Sequence, residues 1–391
     1  MSSVGQQSRF GPVQRSDGTV MPLELFFDLV FVLALTQCTA LMAADPTWHG
    51  LAQGLLVLGV MWWAWVGYSW LTSVVDPEEG AVRIALLAAM AGLLIVSLCI
   101  PSAFDELGLL FAAAYFVVRA AQVVLLYLGG RDFPEMRRSV VGLGVSTLIG
   151  TGILVGAAFT DGVLQGALWA LALVLDMGGP ALFGVEGWRI VPSHFAERHG
   201  LIIIIALGES IVAIGVGAAY GVDAGVVAAG VLGVAVAGAL WWLYFDVVSL
   251  VAERRLSNAT PGREQNSIAR DSFSFLHLPM IAGIILMALG FKKSLEHTDD
   301  PLELIPAVAL CGGIALYLLA HVAFRWRNVH RLSVQRMMVA AVFLALIPAA
   351  VALPALASLA IAAGLLIALI VYETARFAEL RDRLRHQAHS S

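Results

Sequence analysis

Glu209 lies in the middle of an otherwise apolar run, IIIIALGESIVAIGVG. A charged group at the centre of a spanning helix costs about 2.5–3.5 kcal/mol on insertion scales. Such a carboxylate has to face a cavity, pair with a cation, stay protonated, or spend its oxygens on a helix–helix hydrogen bond. Gly208, Gly215 and Gly217 around it allow another backbone to come close. Arg119, near the centre of a second apolar run, is its natural partner, and a buried pair of that kind can also be architecture alone. Tyr115, Arg119 and Gln122 fall at i, i+4 and i+7, which puts one polar stripe on a helix.

Glu24 and Asp28 are four residues apart, on one helical face that Leu35 and Thr39 continue. Two carboxylates at that spacing can hold a proton or cation between them; the plainer alternative is a helix cap with one salt bridge to a loop arginine. Asp176, Asp246, His277 and His321 fall inside or near the inner third of apolar runs. The histidines have the chemistry of a proton relay, or of buried hydrogen-bonding groups. Trp62, Trp63, Trp65, Trp70, Trp241 and Trp242 read mainly as an interfacial belt, with cavity lining as the second reading.

The elements that position these groups are membrane spans. The 391 residues are 60% hydrophobic and 13% charged, with mean hydropathy +0.86. Soluble domains carry about 25% charged residues. Runs long enough to span occur at 22–43, 50–73, 82–101, 107–129, 139–159, 163–185, 200–220, 226–248, 272–291, 303–325, 334–352 and 354–373. Pro348 and Pro354 interrupt the last two, which form either two spans or a hairpin that crosses only partly. Residues 1–20 are polar and the first run contains Asp28, so a cleavable signal is not expected.

Of 23 Lys and Arg residues, 20 fall on one side of these spans, Lys292 and Lys293 on the other, and Arg119 within a span. The positive-inside rule then places both termini in the cytoplasm. The longest soluble stretch, roughly 249–271, is too short for a domain. The tail RFAELRDRLRHQ lies either on the anionic inner leaflet or in solvent.

Residues 20–190 and 195–380 share ordered landmarks. Each half opens with a glutamate, Glu24 and Glu197, and has a Trp pair in its second span. The third spans pair RIALLAAMAGLLI with RDSFSFLHLPMIAGII, and the fourth pair Tyr115/Arg119 with Tyr317/His321. Arg137 and Arg336 open the fifth spans, and Asp176 and Glu373 come late in the sixth. Six spans per copy give the copies one orientation, hence a pseudo-two-fold axis along the membrane normal.

Cys38, Cys99 and Cys311 are scattered in apolar runs without metal-ligand or disulfide spacing. No nucleotide loop, HExxH or GxSxG occurs, and Ser210 in LGESI has no strand context for a hydrolase elbow. No lysine sits mid-span to hold a retinal Schiff base.

ELFFDLVFVLALTQ at 24–37 and HFAERHGLIIIIALGESIVAIG at 194–215 resemble the bacterial low temperature requirement protein A (LtrA) family. WWLYFD at 241–246 and the stretch 270–285 fit it too, so the resemblance covers about 20–375. The family implies a polytopic membrane protein without a settled activity. Its shared residues here include Glu24, Phe27, Asp28, Glu197, Arg198, Gly208, Glu209, Trp242, Asp246 and His277. The first motif is also similar to the FSD-type first-helix motif of a potassium-channel family built from six-span units, with Phe27 replacing the serine and no counterpart in the second half.

The expectation is therefore an all-α, polytopic integral membrane helical bundle of about 12 transmembrane helices in two parallel six-helix repeats. Its parts are a cytoplasmic N-terminal tail (1–20), the repeats (21–190 and 191–375) and a basic cytoplasmic tail (376–391). It is expected in the plasma membrane, with the lipid bilayer and a small solute or ion as partners. No enzyme activity, cofactor, metal or nucleic acid is expected. The leading function is a proton- or cation-linked solute transporter. In it Glu209 binds the ion, Arg119 is counter-ion or anion ligand, and Glu24 and Asp28 line the cytoplasmic route. Its rivals are a cation channel constricted near Leu35 and Thr36, a lipid-handling enzyme using Asp246 and His277, and a sensor.

Overall fold

A computed structural model of the chain describes Arg15 and residues 18–78, 80–218 and 221–378. The basic C-terminal tail from residue 379, and the N-terminal tail apart from Arg15 and 18–20, lie outside the described residues.

The helices are α1 (Pro22–Ala44), α2 (Trp48–Val74), α3 (Gly80–Cys99), α4 (Gly108–Gly129), α5 (Pro134–Ala157), α6 (Gly162–Leu182), α7 (Pro192–Gly217) and α8 (Ala224–Phe245). They continue with α9 (Val248–Ser257), α10 (Arg263–Ile268), α11 (His277–Glu296), α12 (Leu304–Val329), α13 (Val334–Ala345), α14 (Ile347–Ala350) and α15 (Ala355–Arg376). Among the described residues, 11 helical stretches are long and apolar enough to cross a membrane. In lipid a chain must satisfy its backbone internally, and a helix does so within one segment.

The surface fits that solvent. On α3, Val82, Leu86, Ala89, Met90, Leu93 and Val96 are buried while Ile84, Leu87, Leu94, Ile95 and Leu98 are exposed. Both faces are apolar, and the outward one would be a liability in water.

The expected eleventh span, 334–352, is not one helix. Helix α13 has 12 residues, and Leu346 separates it from the single turn of α14, which contains Pro348. At 1.5 Å per residue α13 is about 18 Å long, against a hydrocarbon core of about 30 Å. The stretch 249–271, read as a loop, is largely helical, formed by α9, α10 and the start of a π-helical segment at Ala269–Phe275.

The chain divides into two compact units. One contains the described residues through Ala34, with Leu56–Arg198 and Ala259–Ser267. In it α3, α4, α5 and α6 pack as successive neighbours. The other contains Leu35–Leu55, His199–Asn258 and the described residues from Ile268 onward. There α11 packs on α12, and α8 on α15. A Cβ at Gly283 would lie 2.6 Å from the Gly313 carbonyl oxygen, and one at Gly313 equally close to that of Gly283. Only glycine at both positions lets α11 and α12 approach this closely.

Candidate functional site

The first unit buries two compensated charge clusters. In one, the cation held between Glu24 and Asp28 is the guanidinium of an arginine. Arg198 Nη1 donates to Glu24 Oε1 at 3.0 Å and its Nη2 to Asp28 Oδ1 at 2.7 Å. Arg15 Nη1 donates to Glu24 Oε2 at 3.0 Å and to the Thr72 carbonyl at 2.9 Å. His194 Nε2 lies 2.8 Å from Glu24 Oε1, and Trp65 Nε1 donates to Asp28 Oδ1 at 2.9 Å. Two carboxylates thus face two guanidinium groups, and both acids are buried. The salt bridge to a loop arginine is present as Arg15, but Arg198 belongs to a helix. Helix α7 begins at Pro192, so HFAERHG is its first two turns and not the loop before residue 200.

In the second cluster the partner of Arg119 is Asp176, where the sequence suggested Glu209. Arg119 Nη2 donates to Asp176 Oδ1 at 2.9 Å and to Thr147 Oγ1 at 3.0 Å. Tyr115 Oη has one proton to share between the other oxygen, Oδ2, at 3.3 Å and the Val60 carbonyl at 3.2 Å, and Arg119 Nη1 donates to Gln122 Oε1. The Tyr115, Arg119 and Gln122 stripe is buried as its spacing required. Gly67 makes room for it, since a Cβ there would collide with the Arg119 and Gln122 side chains.

The second unit holds a third compensated pair. Arg336 grips Glu373 with two parallel bonds, Nε to Oε1 at 2.9 Å and Nη2 to Oε2 at 2.8 Å. Its Nη1 lies 2.9 Å from His321 Nδ1. Arginine only donates, so this His321 nitrogen accepts and the ring proton sits on Nε2. His277 is fixed in the opposite tautomer. Its Nδ1 is 3.1 Å from the Ser272 carbonyl, a pure acceptor, so Nε2 accepts from Tyr244 Oη at 2.9 Å. The π-helical turns at Ala269–Phe275 contain that carbonyl, and such turns recur at functional positions. Asp246 follows α8 and lines a cavity with Arg336 and Glu373.

Glu209 differs from the rest. Buried acids among the described residues are Glu24, Asp28, Asp176, Glu209 and Glu373. The other four are each ion-paired to arginine. Glu209 accepts a hydrogen bond from Thr36 Oγ1, and no cation lies within ion-pair distance of it among the described residues. Thr39 and the Cys38 thiol stand beside it, and Lys292 acts on it through space from farther away. Thr36 and Glu209 belong to the same unit.

Sequence reasoning thus found the acids and missed most of their partners. Arg15 and Arg198 read as charges outside the spans, Arg336 as the opening of a fifth span, and nothing local marks Thr147 or His194. Arg119 was legible as an inward group, but its partner 57 residues away in sequence was not.

Fold and sites together define a polytopic α-helical membrane protein with ionisable groups buried in its spans. Residues 19–371 match the family model described as Bacterial low temperature requirement A protein (LtrA), and the chain belongs to that family. It is 30% identical over 307 residues to the Rhizobium meliloti (strain 1021) protein named Uncharacterized protein RA0937, covering 75% of this chain and 74% of that one.

Proposed function

We propose that the chain is a proton- or cation-linked solute transporter in which Glu209 binds and releases the ion. One observation carries this reading: every other buried carboxylate among the described residues is neutralised by arginine, and Glu209 is held by a hydroxyl. An ionised carboxylate in a span needs a compensating charge. At Glu209 a proton or a cation from solution supplies it, and either can leave again. An arginine partner would hold the site in one state. Arg119, paired with Asp176, is a structural counter-ion in this reading, and the Glu24–Asp28–Arg198 cluster is a brace for α1 and α7.

Transport in this proposal occurs across the plasma membrane, with both termini cytoplasmic, through two repeated six-helix units. Matching internal bonds support the duplication. Tyr115 Oη donates to the Val60 carbonyl at 3.2 Å and Tyr317 Oη to that of Leu240 at 2.9 Å. Arg119 reaches the Trp63 carbonyl at 3.5 Å and Arg336 that of Leu243 at 3.4 Å. In both cases the acceptors are three residues apart on one helix, and the arginine also holds a late carboxylate.

The test is charge movement. A pH jump applied to proteoliposomes on a capacitive support should drive a transient current in the wild type, because the ion enters the membrane field to reach Glu209. Glu209→Gln keeps the shape and should abolish it. A transient unchanged in Glu209→Gln overturns the assignment.

A further inference from the structure

The second unit contains a cavity that neither Glu209 nor Thr36 lines. The C-terminal ends of α8, α12 and α15, the start of α13 and helix α9 enclose about 290 Å³. Part of its wall is apolar, formed by Trp242, Val251, Phe324 and Ile370. The rest carries Arg325, Arg331 and Arg336 against Asp246 and Glu373. Arg336 commits its fork to Glu373. Arg325 and Arg331 have no carboxylate within ion-pair distance among the described residues. Arg336 and Arg331 act on Arg325 through space, opposed in part by Glu373, so three guanidinium groups meet one nearby carboxylate at one end of the cavity. Such an arrangement is relieved by an anion that accepts hydrogen bonds from the guanidinium groups.

We propose that this cavity binds an anionic amphiphile head-first, with its phosphate or carboxylate on Arg325 and Arg331 and its chain against Trp242, Val251, Phe324 and Ile370. Three arginines against two carboxylates leave a positive balance for the head, and the apolar wall exceeds what a small inorganic anion needs. The volume also limits the ligand. Pockets for drug-sized molecules run to about 300–1,000 Å³. A cavity of about 290 Å³ takes a head and the first part of one chain, not a whole two-chain lipid. On the charge sorting of the sequence this end of the helices is cytoplasmic, where anionic headgroups concentrate. A leaflet phospholipid and a free fatty acid share the required chemistry.

Native mass spectrometry of the full chain in detergent decides between them. Equal concentrations of phosphatidylglycerol, oleate and phosphatidylcholine are offered. The expected result is retention of at least one anion and not of phosphatidylcholine. Phosphatidylglycerol retained assigns the site to a leaflet lipid, and oleate alone assigns it to a free amphiphile. Arg325→Ala combined with Arg331→Ala should weaken the retained anion by about tenfold, equivalent to about 1.4 kcal/mol. Val251→Trp keeps the arginines, fills the chain-binding end, and should weaken it comparably. It provides the check if the arginine variant does not fold. Retention of neither anion by the wild type, equal retention of phosphatidylcholine, or wild-type affinity in either folded variant overturns the proposal. Glu209 does not line this cavity, so the outcome is independent of the ion-binding reading.

Discussion

Thr36 Oγ1 donates to Glu209 Oε2, so a carboxylate buried in α7 is held by a neutral hydroxyl from α1. The contrast with Asp176, which is ion-paired to the Arg119 guanidinium, makes the two acids separable by mutation.

The first prediction concerns stability. Asp176→Leu leaves Arg119 buried and unpaired, and breaking such a pair costs about 3–5 kcal/mol. Glu209→Leu strands no cation, so it should cost less than about 1 kcal/mol or raise stability by removing a buried polar group. Thermal unfolding in detergent should show a large fall for Asp176→Leu, and recovery when Arg119→Leu is added. A fall for Glu209→Leu as large as for Asp176→Leu would mean that Glu209 is structural.

Arg198 should tolerate no substitution well. It reaches Glu24 and Asp28 from separate nitrogens of one planar fork. Lysine has a single charged point and cannot reproduce both bonds. Arg198→Lys should therefore unfold at lower temperature than the wild type, and Arg198→Ala lower still, losing about 3–5 kcal/mol. Equal melting temperatures for Arg198→Lys and the wild type would show that one bond suffices.

The proposed duplication makes a sharper prediction. In the first unit the arginine stands four residues after Tyr115; in the second, His321 holds that place and Arg336 comes from the next helix. Arg336→Gln should destabilise the protein by leaving Glu373 unpaired. Adding His321→Arg should recover part of that loss if the positions are equivalent. No recovery, measured by the same melting experiment, counts against duplication.

The charge sorting makes a prediction about orientation. With 20 of 23 basic residues assigned to one side, a fluorescent reporter that matures only in the cytoplasm should give signal when fused after Ser391. Signal only from a reporter that works outside the cytoplasm would require an odd number of crossings, and α13 with α14 would be the place to look.

Hydropathy located most spans because each needs some twenty apolar residues, and α2, α4 and α6 begin and end close to their expected limits. It failed where polar residues continue a helix. HFAERHG has the composition of a loop, yet it opens α7, because Glu24 compensates His194 and Arg198 there. It failed again at 334–352, where apolar content suggested a span and Pro348 limits the helix. The cost of burial identified Glu24, Asp28, Arg119, Asp176 and Glu209 as inward groups. Partner choice depends on the rotation of whole helices about their axes, which spacing within one helix does not specify. That is why Arg119 looked like a match for Glu209.

The most direct test of the central claim is carbodiimide labelling of the purified protein, read by peptide mass spectrometry across pH. Dicyclohexylcarbodiimide reacts with protonated carboxyl groups in apolar surroundings. An adduct is expected on Glu209, forming more slowly as pH rises and when the coupling cation is added. Glu24, Asp28, Asp176 and Glu373, paired with arginines, should stay unmodified. Labelling of those four with Glu209 untouched, or labelling of Glu209 at a rate independent of both pH and cations, would contradict it.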